Sequence, residues 1–382
     1  MMSLPPLYPI TDARLEMSLA EQVRHLGEVG FPLVQFRGKP LDAQDQWIHL
    51  RQALAEAAEN GGWPLIVVND RADLATLAAQ EGLPPWGLHL GQGDLPPTEA
   101  HRLPGLGGLH LGTSTHGPIE WIELDPACDH AGCGPYRATA SKGDHAEPLG
   151  LGGLMAGCAM LRARGVAPIA IGGLTLEDAQ DCFDVGAESL AMVGEIWRSQ
   201  DPAGLLWEAQ RLRWQQRPPV QLGQGVVLVG GSGGGKSTLG RALAPRIGLP
   251  LVDLDELIED RAGLAIPDIF AHGGEQGFRD LETRYLAEAL QAACVLCLGA
   301  GAWQREENRA LVQATDFAPL WLAETPHRAW ARVGGDPHRP LAQDRATFMA
   351  RWRSRMEAWS TLPTVLPLGY SAEDVVQTLL GE

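Results

Sequence analysis

VVLVGGSGGGKSTLGRALAPRIG, residues 226–248, reads as a short apolar strand, a glycine-rich turn and then a helix. Within it GGSGGGKST fits the pattern G-x-x-x-x-G-K-[ST], with Gly230, Gly235, Lys236 and Ser237 at the fixed places. Glycines let backbone N–H groups turn toward phosphate oxygens, and the helix N-terminus adds positive potential. Gly230, Gly233, Gly235, Lys236, Ser237 and Thr238 are therefore the candidate nucleotide contacts, with Lys236 reaching the β- and γ-phosphates and Ser237 facing Mg²⁺. A merely flexible glycine loop has no reason to sit between a strand and a helix.

Outward from this stretch, LVDLD (251–255), CVLCLG (294–299), PLWLA (319–323) and TVLPL (364–368) read as further strands separated by helical patterns. They predict a five-stranded parallel α/β sheet over residues 226–382. On the other side RPPVQLGQG (217–225) has two prolines, two glycines and no apolar period, the composition of a linker. Residues 1–216 carry eight strand candidates: LYPIT (7–11), LVQFR (33–37), LIVVND (65–70), LHLG (88–91), LHLGTST (109–115), HAGCGP (130–135), PIAIGG (168–173) and LAMVG (190–194). Helical or loop stretches follow each strand, which predicts a (β/α)₈ TIM barrel, with an open doubly wound sheet as the alternative. Polar residues gather at the C-terminal ends of these strands, where barrels place their chemistry: Gln35, Arg37 and Lys39, Asn69 and Asp70, Gln92 and Asp94, Ser114 and Thr115, Thr139 and Lys142.

Composition narrows the function classes. The 382 residues are 45% hydrophobic and 20% charged, a globular balance, and no apolar run of membrane-spanning length occurs. The opening MMSLPPLYPITDARL has neither a basic start nor an apolar core, so the cytoplasm is the expected location. A net charge of −17, carried mostly by residues 1–216, argues against nucleic acid as a partner and leaves small anions held by local cations. Of 30 basic residues only Lys39, Lys142 and Lys236 are lysine, and each lies in a glycine-, serine- or arginine-rich context suited to phosphate. Cys294 and Cys297 have CxxC spacing but fall on a strand, where positions three apart face opposite ways, and Cys128, His130 and Cys133 have no second ligand pair, so packing is expected for both groups.

The segment LVDLDELIEDRAGLAIPDIFAHGGEQGFRDLE, with the later RPL and RxxxW, resembles shikimate kinase over about residues 226–370. The resemblance carries D-x-D onto Asp253 and Asp255, GE-x-x-FR-x-x-E onto Gly274, Glu275, Phe278, Arg279 and Glu282, the lid R-P-L onto Arg339, Pro340 and Leu341, and a glycine triplet onto Gly299, Ala300 and Gly301. It implies ATP as co-substrate, Asp255 as the base on the acceptor hydroxyl, Asp253 with Ser237 at Mg²⁺, Arg279 and Arg355 on a substrate carboxylate, Gly299 and Gly301 beside it, and Arg339 over the phosphates. Ala300, Trp359 and Glu357 depart from the pattern. They leave room for another hydroxy acid, such as a sugar acid, or for an ATP-sensing regulatory domain.

LYPITD, QFRGK, VNDRADLA, LHLGQGDLP, LGTSTH, GCGPYRATASK, AIGGL and GAESLAMV resemble, in order and spacing, thiamine-phosphate synthase over about residues 6–198. The resemblance implies condensation of a pyrimidine methyl pyrophosphate with a thiazole phosphate. Asp70 and Asp94 would bind Mg²⁺, Arg37, Lys39, Asn69 and Lys142 the pyrophosphate, and Gln35 and Ser114 the pyrimidine. Thr139, Ser141, Gly173 and Gly194 would hold the thiazole phosphate. Arg37 and Lys142 would also stabilise the leaving charge. Arg137, Ala138 and Gly194 depart from the family, and His89 and His116 are read as structural. The reading is a bifunctional enzyme of open oligomeric state, with domains 1–216 and 226–382 and a linker at 217–225.

Overall fold

The computed structural model describes residues 4–138, 147–216, 225–336, 342–365 and 370–381. The chain divides essentially at residue 216 into two compact units.

In the first unit eight short strands form one parallel sheet: β1 (Leu7–Pro9), β2 (Leu33–Phe36), β3 (Leu65–Asn69), β4 (Gly87–Leu90), β5 (His110–Thr115), β6 (His130–Cys133), β7 (Ala167–Ile171) and β8 (Ser189–Met192). Their order, β1-β8-β7-β6-β5-β4-β3-β2, puts the first and last strands side by side. The ends meet where Ile10 bridges Gln35 and the Thr11 N–H donates to the Gln35 carbonyl at 3.0 Å. That contact makes the sheet a near-closed barrel and excludes the open alternative. Nearly every strand residue is buried, as a sheet covered on both faces requires. Local signals agree with the packing. The helix Leu19–Val29, for example, starts at a Ser18/Glu21 capping box and buries Leu19, Val23 and Leu26.

The barrel interior is polar at one level. The His130 ring, with no exposed surface, lies between the rings of Tyr8 and His89, with centroids 6.0 and 5.6 Å away. A β-carbon on Gly112, the strand partner of His130, would run into that imidazole, so only glycine fits there.

The second unit has five parallel strands: β9 (Gly225–Val229), β10 (Leu251–Asp253), β11 (Cys294–Cys297), β12 (Phe317–Leu322) and β13 (Thr364–Val365). The order is β10-β11-β9-β12-β13, so the glycine-rich turn leaves the central strand where the connections change direction. Ligands settle at such a switch point. The helix Lys236–Ile247 follows the turn, and Gly235 caps it in the left-handed region (φ 88°). Three boundaries move from the sequence reading. β10 stops at Asp253, whose side chain accepts from the Asp255 N–H and opens the helix Leu254–Ala262, so Asp255 is helical. Gly225 already belongs to β9, and of TVLPL only Thr364 and Val365 are strand within the described residues. All six cysteines are free thiols and buried, Cys294 and Cys297 on β11 as expected. Among the described residues no helix is long and apolar enough to cross a membrane.

Candidate active sites

In the second unit Lys236 lies over the turn it belongs to, its Nζ donating to the Gly230 and Gly231 carbonyls at 2.9 Å each. The Ser237 hydroxyl donates to Asp253 Oδ2 at 2.7 Å. The two groups expected at Mg²⁺ are thus adjacent although 16 positions apart in sequence. Thr238 is exposed in the first turn of the same helix.

Next to this turn opens a cavity of about 370 Å³. Ser232 of the glycine-rich turn, Asp255, Arg279, Gly299, Gly301 and Arg355 all line it, together with Phe270, Phe278 and Phe348. Arg279 and its neighbours come from the long helix Ile266–Ala289, which breaks at Gly274 (φ 64°) and resumes with Glu275 one turn before Arg279. Arg279 Nη1 donates to Glu282 Oε2 at 2.8 Å and Nη2 to Glu275 Oε1 at 3.4 Å. Glu282 has no exposed surface, and burial pushes its carboxyl above the usual range, with Arg279 opposing. A β-carbon on Gly299 would fall 2.9 Å from Asp255 Oδ1 and would also crowd Glu282 Oε1. The glycine lets both carboxylates approach the end of β11. Arg355 sits on the helix Arg345–Ser360, half-buried rather than on a solvated face. Burial and then the neighbouring guanidiniums of Arg279 and Arg351 push its proton affinity down to about 10.

Arg351 and Trp352 also line the cavity, and sequence reasoning did not single them out. A helical-phase signal was available, because 348, 351, 352 and 355 are spaced i, i+3, i+4, i+7. Ala300 lines the same cavity, and Trp359 is fully buried. Arg339 lies outside the described residues.

In the barrel, Lys39 Nζ is 2.6 Å from Asp70 Oδ2, joining the ends of β2 and β3. Asp70 is the one non-glycine residue in the left-handed region among the described residues (φ 61°), and its N–H donates to the His89 carbonyl at 2.8 Å. Asp94 Oδ2 accepts from the Gly91 N–H at 2.8 Å. Burial alone would raise the Asp70 carboxyl, but hydrogen bonding with Lys39 and Asp94 outweighs it and holds the group below the usual range. Asp94 moves the other way, raised first by burial and then by the Asp70 carboxylate beside it. Two carboxylates in contact suit a divalent cation, which relieves their repulsion.

Around this pair, Asn69 ends β3, and the Arg37 N–H donates to Thr11 Oγ1 at 2.8 Å. Gln35 Nε2 is 3.5 Å from the Tyr8 hydroxyl, and Ser114 Oγ is 3.0 Å from His89 Nε2. Gln92 donates to the Ser114 carbonyl. Gly173 (φ 68°) follows β7 against the Arg137 backbone, and Gly194 begins the short helix Gly194–Arg198. Arg137 forks onto Asp178 with two contacts of 2.5 Å, tying the loop after β6 to the turn after β7. Thr139, Ser141 and Lys142 lie outside the described residues. His116 Nδ1 is 3.1 Å from Glu120, a local pair.

Comparison with known proteins separates the two units. The family model for shikimate kinase matches residues 232–362, and that for thiamine monophosphate synthase matches residues 7–196. A shikimate kinase of Ruegeria pomeroyi is 42% identical over 139 residues, 35% of this chain and 71% of that protein. The chain belongs to the shikimate kinase family. It is a fusion, with a thiamine monophosphate synthase domain ahead of the shikimate kinase domain, and both are transferase domains. A Burkholderia thailandensis shikimate kinase is 44% identical over 119 residues, covering 31% of this chain and 64% of that protein. Among solved structures, thiamine phosphate pyrophosphorylase from Pyrococcus furiosus is 26% identical, with TM-score 0.45 over 56% of this chain and 98% of its own. Shikimate kinase from Acinetobacter baumannii in complex with shikimate is 32% identical, with TM-score 0.39 over 41% and 89%.

Proposed function

We propose that the shikimate kinase domain transfers the γ-phosphoryl group of ATP to a hydroxyl of shikimate, and that the barrel makes thiamine phosphate. The observation that carries the kinase reading is one cavity beside the phosphate turn that Asp255, Arg279 and Arg355 line together. Planar guanidinium forks suit the carboxylate of the acceptor. Asp255 takes the proton of the attacking hydroxyl, Lys236 steadies the β- and γ-phosphates, and Arg339 closes over them. Gly299 and Gly301 let the acceptor ring approach the backbone.

In the barrel the C–O bond from the pyrimidine methylene to pyrophosphate breaks, and a C–N bond to the thiazole nitrogen forms. Arg37, Lys39, Asn69 and Lys142 gather the departing charge. Gln35 and Ser114 orient the pyrimidine, and Thr139, Ser141, Gly173 and Gly194 hold the thiazole phosphate. Positioning and charge stabilisation do the work, without a protein nucleophile.

Magnesium fits both domains by donor chemistry. Asp70 and Asp94 offer hard oxygens in contact, and Ser237 and Asp253 are hydrogen-bonded to each other. Among the described residues no three His, Cys, Asp or Glu side chains cluster as a closed metal cage. Mg²⁺ characteristically uses one or two carboxylates and completes its shell with waters and substrate phosphate oxygens. When bound it would neutralise charge on those oxygens. The kinase reaction draws on ATP and the condensation on phosphorylated metabolites, which fits work in the cytoplasm.

Purified protein with ATP and Mg²⁺ is offered shikimate, gluconate and other hydroxy acids, with products read by mass spectrometry. Shikimate phosphate is the expected product. Preferred phosphorylation of another acid would reassign the acceptor, and ATP binding without any product would make the domain a regulator. A parallel assay for thiamine phosphate tests the barrel.

A further inference from the structure

The helix Arg345–Ser360 presents Phe348, Arg351, Trp352 and Arg355 to the cavity as one stripe. Its two ends of contact differ. At Trp352 the indole lies against the phosphate turn so closely that a β-carbon on Gly231 would run into the ring. Arg355, about 5 Å further along the helix axis, keeps company with Arg279, which itself packs on Gly301. The cavity therefore has a carboxylate end, made by Arg279, Arg355 and Gly301, and a phosphate end, made by Ser232 and Trp352; Arg351, one residue before Trp352 and one helical turn before Arg355, lines the cavity between them.

We infer that Arg351 is a catalytic residue of the kinase domain, a cation that meets the phosphoryl group as it passes from ATP to the acceptor and that holds the phosphorylated product. This rests on the kinase reading above and assigns a role that Arg279 and Arg355 cannot fill from the far end. In the step concerned, the bond from the γ-phosphorus to the ADP oxygen breaks as the bond to the acceptor oxygen forms. The hydroxyl proton passes to Asp255, and the phosphoryl oxygens stay anionic throughout. A guanidinium one turn from the carboxylate-binding pair is placed for those oxygens. Its charge lies near enough to Arg355 to weaken, after burial and Arg279, the hold of that side chain on its proton.

The test compares full-length wild type, R351Q, R351K and R355Q in steady-state phosphorylation of shikimate. It also measures direct binding of shikimate and of its phosphorylated product. For R351Q the expected result is a kcat lower by about 10–100-fold, with the acceptor KM changed less than about threefold and product affinity about tenfold weaker. R351K should recover part of kcat, because it returns a point charge without the fork. R355Q should instead raise the acceptor KM. A rise in acceptor KM alone for R351Q, or unchanged kcat and product affinity, overturns the inference. Thermal melting of each variant screens for misfolding, and R351K carries the test should R351Q melt early: full wild-type kcat with weakened acceptor binding in R351K overturns it as well. Wild type that phosphorylates no hydroxy acid defeats the kinase reading itself, and the inference with it.

Discussion

At the barrel rim two carboxylates, Asp70 and Asp94, lie in contact with Lys39 beside them, whereas in the kinase cavity the guanidinium of Arg355 stands near those of Arg279 and Arg351, with the buried carboxylate of Glu282 paired to Arg279. Each place holds like charges together, and each does so in the sign opposite to its expected ligand. The visible cost is similar in kind: Asp94 binds its proton more tightly than a solvated aspartate, and Arg355 less tightly than a solvated arginine. The means of assembly differ. The barrel collects its groups from the ends of several strands that only a closed sheet brings round, while the kinase cavity is built mainly from three helices, the phosphate turn and the glycines that follow β11.

If the two sites are independent, single substitutions should separate them completely. Lys236→Met should lower phosphoryl transfer by about 10³-fold or more, and leave thiamine phosphate formation within experimental error. Asp70→Ala should do the converse. Parallel assays on each variant check both, and loss of both activities from either change would break the two-site picture.

Acidity should sharpen the contrast. On the proposed reading Mg²⁺ is held by Asp70 and Asp94, and both must then be ionised. As pH falls from neutral, Asp94 protonates first, above the ordinary aspartate range, while Asp70 stays ionised to lower pH because Lys39 and Asp94 hold it down. Condensation at limiting Mg²⁺ should therefore fall by up to about tenfold per pH unit below that point, and added Mg²⁺ should restore it. The stability that Asp70 contributes has the matching sign: present above the usual carboxylate range, lost as pH falls through its depressed value. Lys39→Gln should move the loss of activity to higher pH. A profile that Mg²⁺ does not shift would assign the titration elsewhere.

Two melting experiments probe the cost of each arrangement. Gly112→Ala should destabilise the barrel by about 1–3 kcal/mol, since the added methyl meets a buried imidazole with no room to turn. Differential scanning calorimetry should show it as a drop of several degrees in one transition. Arg355→Met should act in the opposite direction, raising the kinase transition by about 2–4 °C because it removes a cation held beside two others, while weakening acceptor binding. A lower melting temperature for this variant would mean that the cluster is internally compensated.

The fold was legible because alternating short apolar runs and helical stretches mark parallel sheets almost by themselves, and polar residues at strand ends gave the barrel its orientation. The seam at Gln35 was not legible, since nothing local says that Ile10 will bridge it. Asp255 was placed on a strand because Leu251, Val252 and Leu254 give LVDLD an apolar cast, yet the Asp253 side chain caps the next helix and ends the strand two residues early. In the kinase domain the motifs led to Asp255, Arg279 and Arg355, while Arg351 was hidden in RWRSR, where three arginines compete and only the phase of the helix selects two of them. In the barrel, Asp70 and Asp94 could be named as a pair, but the Lys39 contact depends on two strands lying adjacent and cannot be read from spacing.

The pairing of β1 with β8, Leu7 beside Leu190, also fixes an order of events during synthesis. At about 5–20 residues per second, the first strand leaves the ribosome roughly 10–40 s before its partner exists. Neighbours β2 to β7 can pair one after another as they emerge, but the ring cannot close until residue 192 is free. Over that interval the apolar edges on either side of the gap are open to foreign strands.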